Sequence, residues 1–400
     1  MRHLYAWDND VLLGRFDDRD GVVLFSYEPS ASHPISLSLP IDGNWAEGSP
    51  ATFLNGLLPE SNAQRLQMMH SIGAPSTDAF DLLDNVDSTG GLVFTTTETP
   101  PSLTASASIA TDADIEAQMQ RVYDTSDAWW HEDEKNRFSL AGNQGKFSLA
   151  HVNGMWFWPN ATLPSTHIVK PDGRRVPDVA LIENATMEVA RRVGMSTSTT
   201  QVLQRGERTG LLVTRFDREY DQRRHVIRRL RTEDMTQAMG AGSNDKYDFE
   251  ARELVNCLRK GGASNEALYD LMRQIAFNTC IGNHNAHAKN YSVFITSAGV
   301  RLTPLYDVIC MAHWTEFKYD SLAIPVNDKY DAWEITIEDW RTEAARCGLD
   351  PDRIEEMVRS IASALLSLDY DTLPCGTPAA HEIRDYVREC CRDLLPSLGL

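Results

Sequence analysis

Residues 281–307, which read IGNHNAHAKNYSVFITSAGVRLTPLYD, decide the fold of this chain. The apolar period of the residues before them predicts a helix that ends at Gly282. A short polar loop follows, and the alternating runs 291–296 and 300–307 then predict an antiparallel hairpin. A helix, a polar loop and a hairpin in this order place polar side chains where the loop meets the strands.

The sequence predicts a metal site at the open end of this hairpin. If the hairpin turns on Ala298 and Gly299, antiparallel pairing places Asn290 opposite Asp307. Directly paired residues lie ~5 Å apart at Cα, and an amide oxygen beside a carboxylate can bind a hard cation such as Mg²⁺. Asn290 and Asp307 are therefore the predicted metal ligands.

The spacing of the polar loop is typical of protein kinases. Their catalytic loop has a base, an Asn five residues later and a metal-binding Asp beyond a hairpin. Asn285 and Asn290 have this spacing, and Asp307 follows them. The base position holds Asn instead of Asp, which predicts a nucleotide site with weak catalysis.

Two other interpretations of the loop remain open. It can be an ordinary polar connection, because short motifs have a high false-positive risk. It can also hold zinc through Cys280, His284 and His287. Closed zinc sites usually have four ligands, often in Cys-x-x-Cys pairs, and the sequence has no such pair, so zinc ranks below magnesium.

Length and composition limit the function classes. The 400 residues predict two or three domains. The net charge of −19 argues against a broad DNA-binding face, which needs clustered Lys and Arg. Seven cysteines, all in the second half, indicate reduced thiols and not a disulfide framework. No segment has the length of a membrane span, so the expected location is cytoplasmic.

The order of patterns predicts an α+β fold with two lobes, as in protein kinases. Short alternating runs dominate the start, and a Thr/Ser/Pro-rich stretch at 95–113 resembles a solvated linker. Helical periods dominate the second half, at residues 250–259, 266–281, 337–346, 352–367 and 380–394. The predicted units are an amino-terminal subdomain (1–100), a linker (101–113), a β-rich lobe (114–225) and an all-helical carboxy-terminal lobe (226–400).

The β-rich lobe contains a second set of candidate residues. Asn153-Gly154 between two alternating runs predicts a hairpin, and a Gly-containing loop precedes it. Lys170 ends a predicted strand, and Glu183 lies on the apolar face of a helix thirteen residues later. A carboxylate on such a face needs a partner, so we expect a Lys170–Glu183 pair of the kind that holds ATP phosphates in kinases. A surface glutamate is the alternative. The strand 211–217 suits a hinge between lobes.

With these motifs in this order, the sequence resembles the HipA toxin kinases of bacterial toxin–antitoxin pairs. The resemblance covers nearly the whole chain with its order preserved. It rests on residues 36–40, 53–59, 139–144, 167–170, 215–218, 233–235, 282–290 and 304–307.

The resemblance implies a role for each matched position. It implies ATP and Mg²⁺ as cofactors, Asn285 at the position of the family's catalytic Asp, Asn290 and Asp307 as metal ligands, and Ser139 as the autophosphorylated serine. The implied ATP-binding residues are Ala141, Gly142, Asn143, Gln144, Gly145, Lys146, Lys170, Glu183, Thr214, Arg215, Phe216, His287, Lys289, Asn290, Tyr306 and Asp307.

The resemblance also implies an activity and partners. The family phosphorylates proteins on serine or threonine, typically an aminoacyl-tRNA synthetase such as the glutamyl enzyme. A small helix-turn-helix antitoxin, HipB, restrains it and brings it to operator DNA, so that the acidic chain would contact DNA indirectly. A pseudokinase that serves as a binding or co-repressor module is the alternative, because Asn285 is not a base.

Overall fold

The computed structural model describes residues 2–102, 104–131 and 136–395. These residues form the predicted α+β fold, with an extra amino-terminal sheet beside two lobes. Two large clusters of buried apolar side chains hold it together, one in the amino-terminal part and one in the carboxy-terminal part. Among the described helices, none combines the length and the apolar character needed to cross a bilayer.

The amino-terminal unit is a four-stranded antiparallel sheet covered by helices. Its order is β3-β2-β1-β4. The elements are β1 (Arg2–Asp8), β2 (Val11–Arg19), β3 (Val22–Tyr27), α1 (Ser49–Gly56), α2 (Asn62–Ile72), α3 (Ala79–Leu82) and β4 (Leu92–Thr95). The Phe16 ring lies 6.0 Å from Phe53 and 6.2 Å from Phe94, so an aromatic cluster joins the sheet to α1.

A five-stranded antiparallel sheet, in the order β6-β5-β7-β9-β8, forms the β-rich lobe. The elements are α4 (Asp112–Asp124), β5 (Phe147–Val152), β6 (Met155–Phe157), β7 (His167–Pro171), α5 (Val179–Arg192), β8 (Thr200–Arg205) and β9 (Arg208–Thr214). The predicted Asn153-Gly154 hairpin is confirmed. Both residues have positive φ, 51° and 79°, as a two-residue turn requires.

The carboxy-terminal half is mainly helical and also contains two small sheets. Each predicted helical segment coincides with a helix, although the last one ends at Cys390. The elements are β10 (Arg218–Asp221), β11 (Val226–Arg229), β12 (Thr232–Asp234), α6 (Met235–Ala238), α7 (Ala251–Lys260), α8 (Asn265–Ile281), β13 (Ser292–Thr296), β14 (Gly299–Leu302), α9 (Ile337–Arg346), α10 (Pro351–Leu366) and α11 (Thr377–Cys390). β12, β13 and β14 form one sheet, and β10 pairs with β11, so this half is not all helical.

Helix α8 ends where the sequence predicts, and Gly282 is the reason. This residue has φ 75°, the left-handed conformation that favours glycine. A Cβ at this position would also collide with the Tyr386 ring. The polar loop therefore leaves the helix in a fixed direction.

The register of the β13–β14 hairpin differs from the prediction. Thr296 pairs with Gly299 and Val293 with Leu302, so the turn is Ser297-Ala298. Continued pairing would place Asn290 opposite Leu305. The strands end before that point, and the irregular segments beyond them bring Asn290 to Asp307 by another route.

The carboxy-terminal end of the stretch predicted as a solvated linker packs against the β-rich lobe. Ile109 pairs with Phe157, the Trp158 amide donates to the Ser108 carbonyl, and Ala110 is buried. The polar composition of the stretch gave no signal for this pairing, because backbone hydrogen bonds at the edge of a sheet need no apolar period.

Candidate active site

A cavity of about 610 Å³ lies between the lobes. The β-rich lobe contributes Ile168 and Val213 to an apolar part of its wall, and the loops described below contribute polar side chains. A cleft of this size with a few convergent polar groups is typical of a small-molecule or cofactor site.

Three charged side chains meet in this cavity, and we call Lys170, Glu183 and Asp307 the cleft cluster. Lys170 comes from β7 and Glu183 from the second turn of α5. The Lys170 Nζ donates to Glu183 Oε1 at 2.7 Å and also to Asp307 Oδ1. The predicted pair is confirmed. Glu183 is only 3% exposed, which excludes the surface alternative.

The cleft cluster keeps opposite charges at neutral pH. Burial alone would lower the pKa of Lys170, but the Asp307 and Glu183 carboxylates raise that pKa above its ordinary value. Burial alone would raise the pKa of Asp307, but Lys170 holds it at about 2. Burial raises the pKa of Glu183, and Lys170 opposes that shift. A cation for phosphate oxygens and an anion for a metal ion therefore lie side by side.

The predicted metal ligands are neighbours. Asn290 Nδ2 donates to Asp307 Oδ2 at 3.1 Å, which leaves the amide oxygen of Asn290 as the atom that it could offer to a cation. Mg²⁺ usually takes one or two carboxylates together with substrate phosphates and water. One carboxylate and one amide oxygen at the base of a nucleotide-sized cleft fit that pattern.

The zinc hypothesis is wrong. Within the described residues, no three His, Cys, Asp or Glu side chains lie close enough together to hold a metal ion. His284 is instead fixed by Tyr386, whose hydroxyl lies 2.7 Å from Nε2, and by the Phe317 carbonyl at 3.1 Å from Nδ1. These bonds also prevent His284 from acting as a substitute base.

Asn285 lies at the mouth of the cavity with an exposed side chain. Its Oδ1 accepts a hydrogen bond from the Tyr247 hydroxyl at 2.7 Å. His287 lines the same wall, and burial lowers its pKa to about 4, so it is neutral at physiological pH. Neither residue supplies the anionic base that kinases have at this position.

The Gly-containing loop forms the opposite wall. Ala141, Gly142, Asn143, Gln144 and Lys146 line the cavity. Gly142 has φ 97°, and a Cβ there would lie 2.7 Å from the Lys146 Nζ, which donates to the Ala141 carbonyl at 3.0 Å. The positive φ is the main reason for glycine at this position, and its small size also leaves room for the lysine to fold back over the loop.

Gly145 differs from the other predicted loop residues because it lies outside the cavity lining. A Cβ at Gly145 would lie 2.7 Å from the Val122 side chain and 3.0 Å from the Ser126 carbonyl. Its small size permits close packing of the loop on α4, which is a structural reason for glycine.

Ser139 is fully buried in this conformation. Its Oγ donates to the Leu57 carbonyl at 2.7 Å, and its amide donates to the Asp87 carbonyl at 2.9 Å. A phosphate at this position requires the segment before the loop to leave its place.

The predicted hinge residues Thr214, Arg215 and Phe216 line the cavity. The Arg215 side chain binds Asp217 at 2.7 Å, so the side chain is engaged in the core. The Phe216 ring lies 5.3 Å from the Tyr306 ring. These two rings offer apolar surface to a planar group such as a nucleobase.

The remaining predicted residues also line the cavity, although Lys289 is engaged elsewhere. Its Nζ donates to Asp234 Oδ2 at 2.9 Å, and the Tyr306 hydroxyl donates to the Lys289 carbonyl at 2.7 Å. Both residues therefore fix the loop in addition to facing the cleft.

Several cavity residues were missed by the sequence reasoning. Glu60, Gln237, Lys246 and Tyr247 line the cavity, but none of them was among the predicted site residues. Glu60 directly follows the quoted stretch 53–59, so the resemblance was a usable signal for it. Lys246 and Tyr247 lie in a polar connection without any period.

Comparison with known proteins identifies the family. The model of the HipA N-terminal domain matches residues 4–93, and that of the HipA-like C-terminal domain matches residues 138–368. The chain belongs to the HipA family. The serine/threonine-protein kinase toxin HipA of Shewanella oneidensis is 29% identical over 317 residues, 74% of this chain and 71% of that protein. The Sinorhizobium fredii protein Y4mE is 28% identical over 393 residues, 93% of each chain.

A solved structure shares the fold over nearly the full length. The Shewanella oneidensis complex of HipA, HipB and operator DNA contains a chain that matches with a TM-score of 0.79. The match covers 98% of this chain and 96% of that one at 23% identity. The two-lobed arrangement is therefore the fold of this family.

Proposed function

We propose that this chain is a HipA-type toxin kinase, with an ATP- and Mg²⁺-binding site in the cleft and a weakened catalytic position. One observation carries the proposal. A single cavity unites the Lys170–Glu183 pair with the Asn290–Asp307 pair, although Lys170 and Asp307 are 137 residues apart in sequence.

Each residue has a chemical task in this proposal. Glu183 holds the Lys170 ammonium, which binds phosphate oxygens, and Phe216 and Tyr306 accommodate the base. Asn290 and Asp307 would hold Mg²⁺, which when bound neutralises phosphate charge during transfer. The direct Lys170–Asp307 contact breaks when the nucleotide binds. Lys170 is then free to bind phosphate oxygens and Asp307 to bind the metal ion.

Asn285 limits the rate of transfer. An amide cannot accept the proton of a substrate hydroxyl, and a positioned general base contributes ~10²–10⁴-fold. His284 is engaged on both ring nitrogens, and burial lowers the pKa of His287 to about 4, so neither histidine of the loop is a good substitute base. This geometry also favours the second candidate, a pseudokinase that binds nucleotide and acts as a binding module.

The experiment is the substitution Asn285→Asp, assayed for autophosphorylation with radiolabelled ATP and for growth arrest of a host cell. We expect a gain of ~10²–10⁴-fold in rate over the parent. Asn285→Ala is the matched control and should show no gain, since it removes the amide without adding a base.

The double variant Asn285→Asp/Asp307→Ala should lose the gained activity, because it lacks the metal carboxylate. If Asn285→Asp is no faster than the parent, the kinase proposal fails and the pseudokinase takes its place. The same assay therefore separates the two candidates.

The proposal extends to substrate and partner. As the family resemblance implies, we propose that the substrate is a protein of translation such as an aminoacyl-tRNA synthetase. The related Shewanella oneidensis protein is held with HipB and operator DNA, which supports a helix-turn-helix antitoxin as partner here. The net charge of −19 is consistent with a partner that makes the DNA contacts. Co-expression with the antitoxin should relieve the growth arrest caused by Asn285→Asp.

A further inference from the structure

We propose that Glu60 of the amino-terminal subdomain is a positioning residue of the phosphotransfer site, because it fixes Lys246 and thereby Tyr247 against Asn285. This inference rests on the kinase function proposed above and adds a part of the chain outside both kinase lobes. The two residues of the bridge, Glu60 and Lys246, come from segments 186 positions apart.

Both residues of the bridge line the cavity. Lys246 Nζ donates to Glu60 Oε2 at 2.9 Å, and the two side chains are only 16% and 14% exposed. The other carboxylate oxygen, Oε1, is buried without a hydrogen-bond partner among the described residues. An ion pair that is shielded from solvent in this way is weakened less by salt than an exposed pair.

The Glu60 end of the bridge belongs to a well-fixed backbone segment. Glu60 directly precedes Ser61, which caps α2 in a capping box with Gln64. The Gln64 side chain reaches on to the Asn143 carbonyl at 3.1 Å, so the same turn also contacts the Gly-containing loop. The amino-terminal subdomain thus contacts both walls of the cleft.

The Lys246 end of the bridge is connected to Asn285 through the Lys246–Tyr247 segment. The carbonyl of Lys246 accepts from the Ala288 amide at 3.1 Å. The adjacent Tyr247 donates its hydroxyl to Asn285 and places its ring 5.0 Å from the His287 ring in an edge-to-face contact. With Lys246 held, the segment sets the orientation of residue 285 at the place where a substrate hydroxyl must arrive.

The test uses the full chain with Glu60→Gln, which keeps the shape of the side chain and removes its charge. In the parent background we measure hydrogen exchange of the Ala288 amide, which should become about fivefold faster. In the Asn285→Asp background we measure autophosphorylation, where kcat should fall about fivefold while the KM for ATP does not rise. The charge-exchanged double variant Glu60→Lys/Lys246→Glu should recover both values.

Glu266→Gln is the matched control, because it neutralises a carboxylate whose partner Arg353 lies outside the cleft. It should leave both readings at the parental values. If Glu60→Gln leaves the exchange and kcat unchanged, or raises the KM for ATP instead of lowering kcat, the positioning role is overturned. If Asn285→Asp itself is inactive, the kinase proposal fails, and the Ala288 exchange alone decides whether Glu60 positions this segment.

Discussion

Two groups of oppositely charged side chains in this protein have different roles. The cleft cluster faces a cavity, and the Asp307 side chain is 38% exposed there. The second group, which we call the hinge cluster, consists of Asp87, Arg215, Asp217, Arg218 and Arg229. In the hinge cluster, the Asp87 and Arg218 side chains are 0% and 1% exposed. Burial of charge alone therefore does not mark a candidate binding site, and the cavity beside the cleft cluster is what distinguishes it from the hinge cluster.

The contacts of the hinge cluster explain its role. Asp87 binds Arg218 at 3.1 Å and Arg229 at 3.0 Å, and it accepts from the Ser165 hydroxyl at 2.6 Å. Burial alone would raise the pKa of Asp87, but the arginines lower it. These bonds join the amino-terminal subdomain to the hinge, so the carboxylate serves the fold.

The first and largest prediction tests this assignment with Asp87→Asn. The change leaves buried arginines without their shared anion, so the free energy of unfolding should fall by about 3–5 kcal/mol. Because the folded pKa is lowered, the stabilisation by Asp87 is present at neutral pH and is lost as the pH falls below the ordinary carboxyl range. Urea denaturation at pH 7 measures the effect. Asp124→Asn, at an exposed ion pair with Arg174, should keep the parental midpoint. Equal midpoints for both variants would contradict the role given to Asp87.

The two clusters also differ in how far the sequence predicts them. Lys170 and Glu183 are found because a strand-terminal lysine and a carboxylate on an apolar helix face are local patterns. Asp87 and Arg218 are 131 residues apart, and no local pattern links an aspartate to an arginine at that distance. The prediction of the β13–β14 register was wrong for a related reason. A turn on Ser297-Ala298 and a turn on Ala298-Gly299 both fit the same alternation of apolar and polar residues. The Asn290–Asp307 contact depends on irregular backbone beyond the strands, which periodicity does not describe.

The second prediction addresses the cleft cluster. Lys170→Ala or Asp307→Ala should weaken Mg²⁺–ATP binding about tenfold to hundredfold, because each removes a charged contact to phosphate or metal. Titration calorimetry with and without Mg²⁺ measures the loss, and the effect of Asp307→Ala should require the metal. Lys260→Ala, at an exposed position in the last turn of α7, is the control. Undiminished binding in both cleft variants would remove the nucleotide site from this cavity.

The third prediction concerns Ser139, whose amide is bonded to Asp87 and which precedes the Gly-containing loop. Ser139→Asp places a charge in a fully buried position and should weaken ATP binding about tenfold relative to Ser139→Ala. The alanine variant loses only the bond to Leu57 and costs ~1 kcal/mol of stability. ATP binding by the aspartate variant as tight as that of the parent would show that the loop does not depend on this segment. The parent should also carry little phosphate at Ser139 by mass spectrometry, because Asn285 slows autophosphorylation ~10²–10⁴-fold.

The smallest expected effect is a pH dependence within the cleft. Burial and the nearby Lys170 lower the pKa of Lys146 to about 8, although Asp307, Glu60 and Glu183 oppose the shift. ATP is an anion and favours the protonated lysine, so binding should be strongest below pH 8 and should weaken as the pH rises through that value. One charge contact in a wet cleft is worth ~1 kcal/mol, so the affinity should fall about fivefold between pH 7 and 9. Lys170 stays charged over this range because its pKa is raised, and Asp307 stays ionised because its pKa is about 2. Lys146→Met should therefore bind ATP with an affinity that is lower and flat across this range. A slope that persists in the methionine variant would assign the titration to another group and leave Lys146 with its structural contacts to the Ala141 carbonyl and the Trp129 ring.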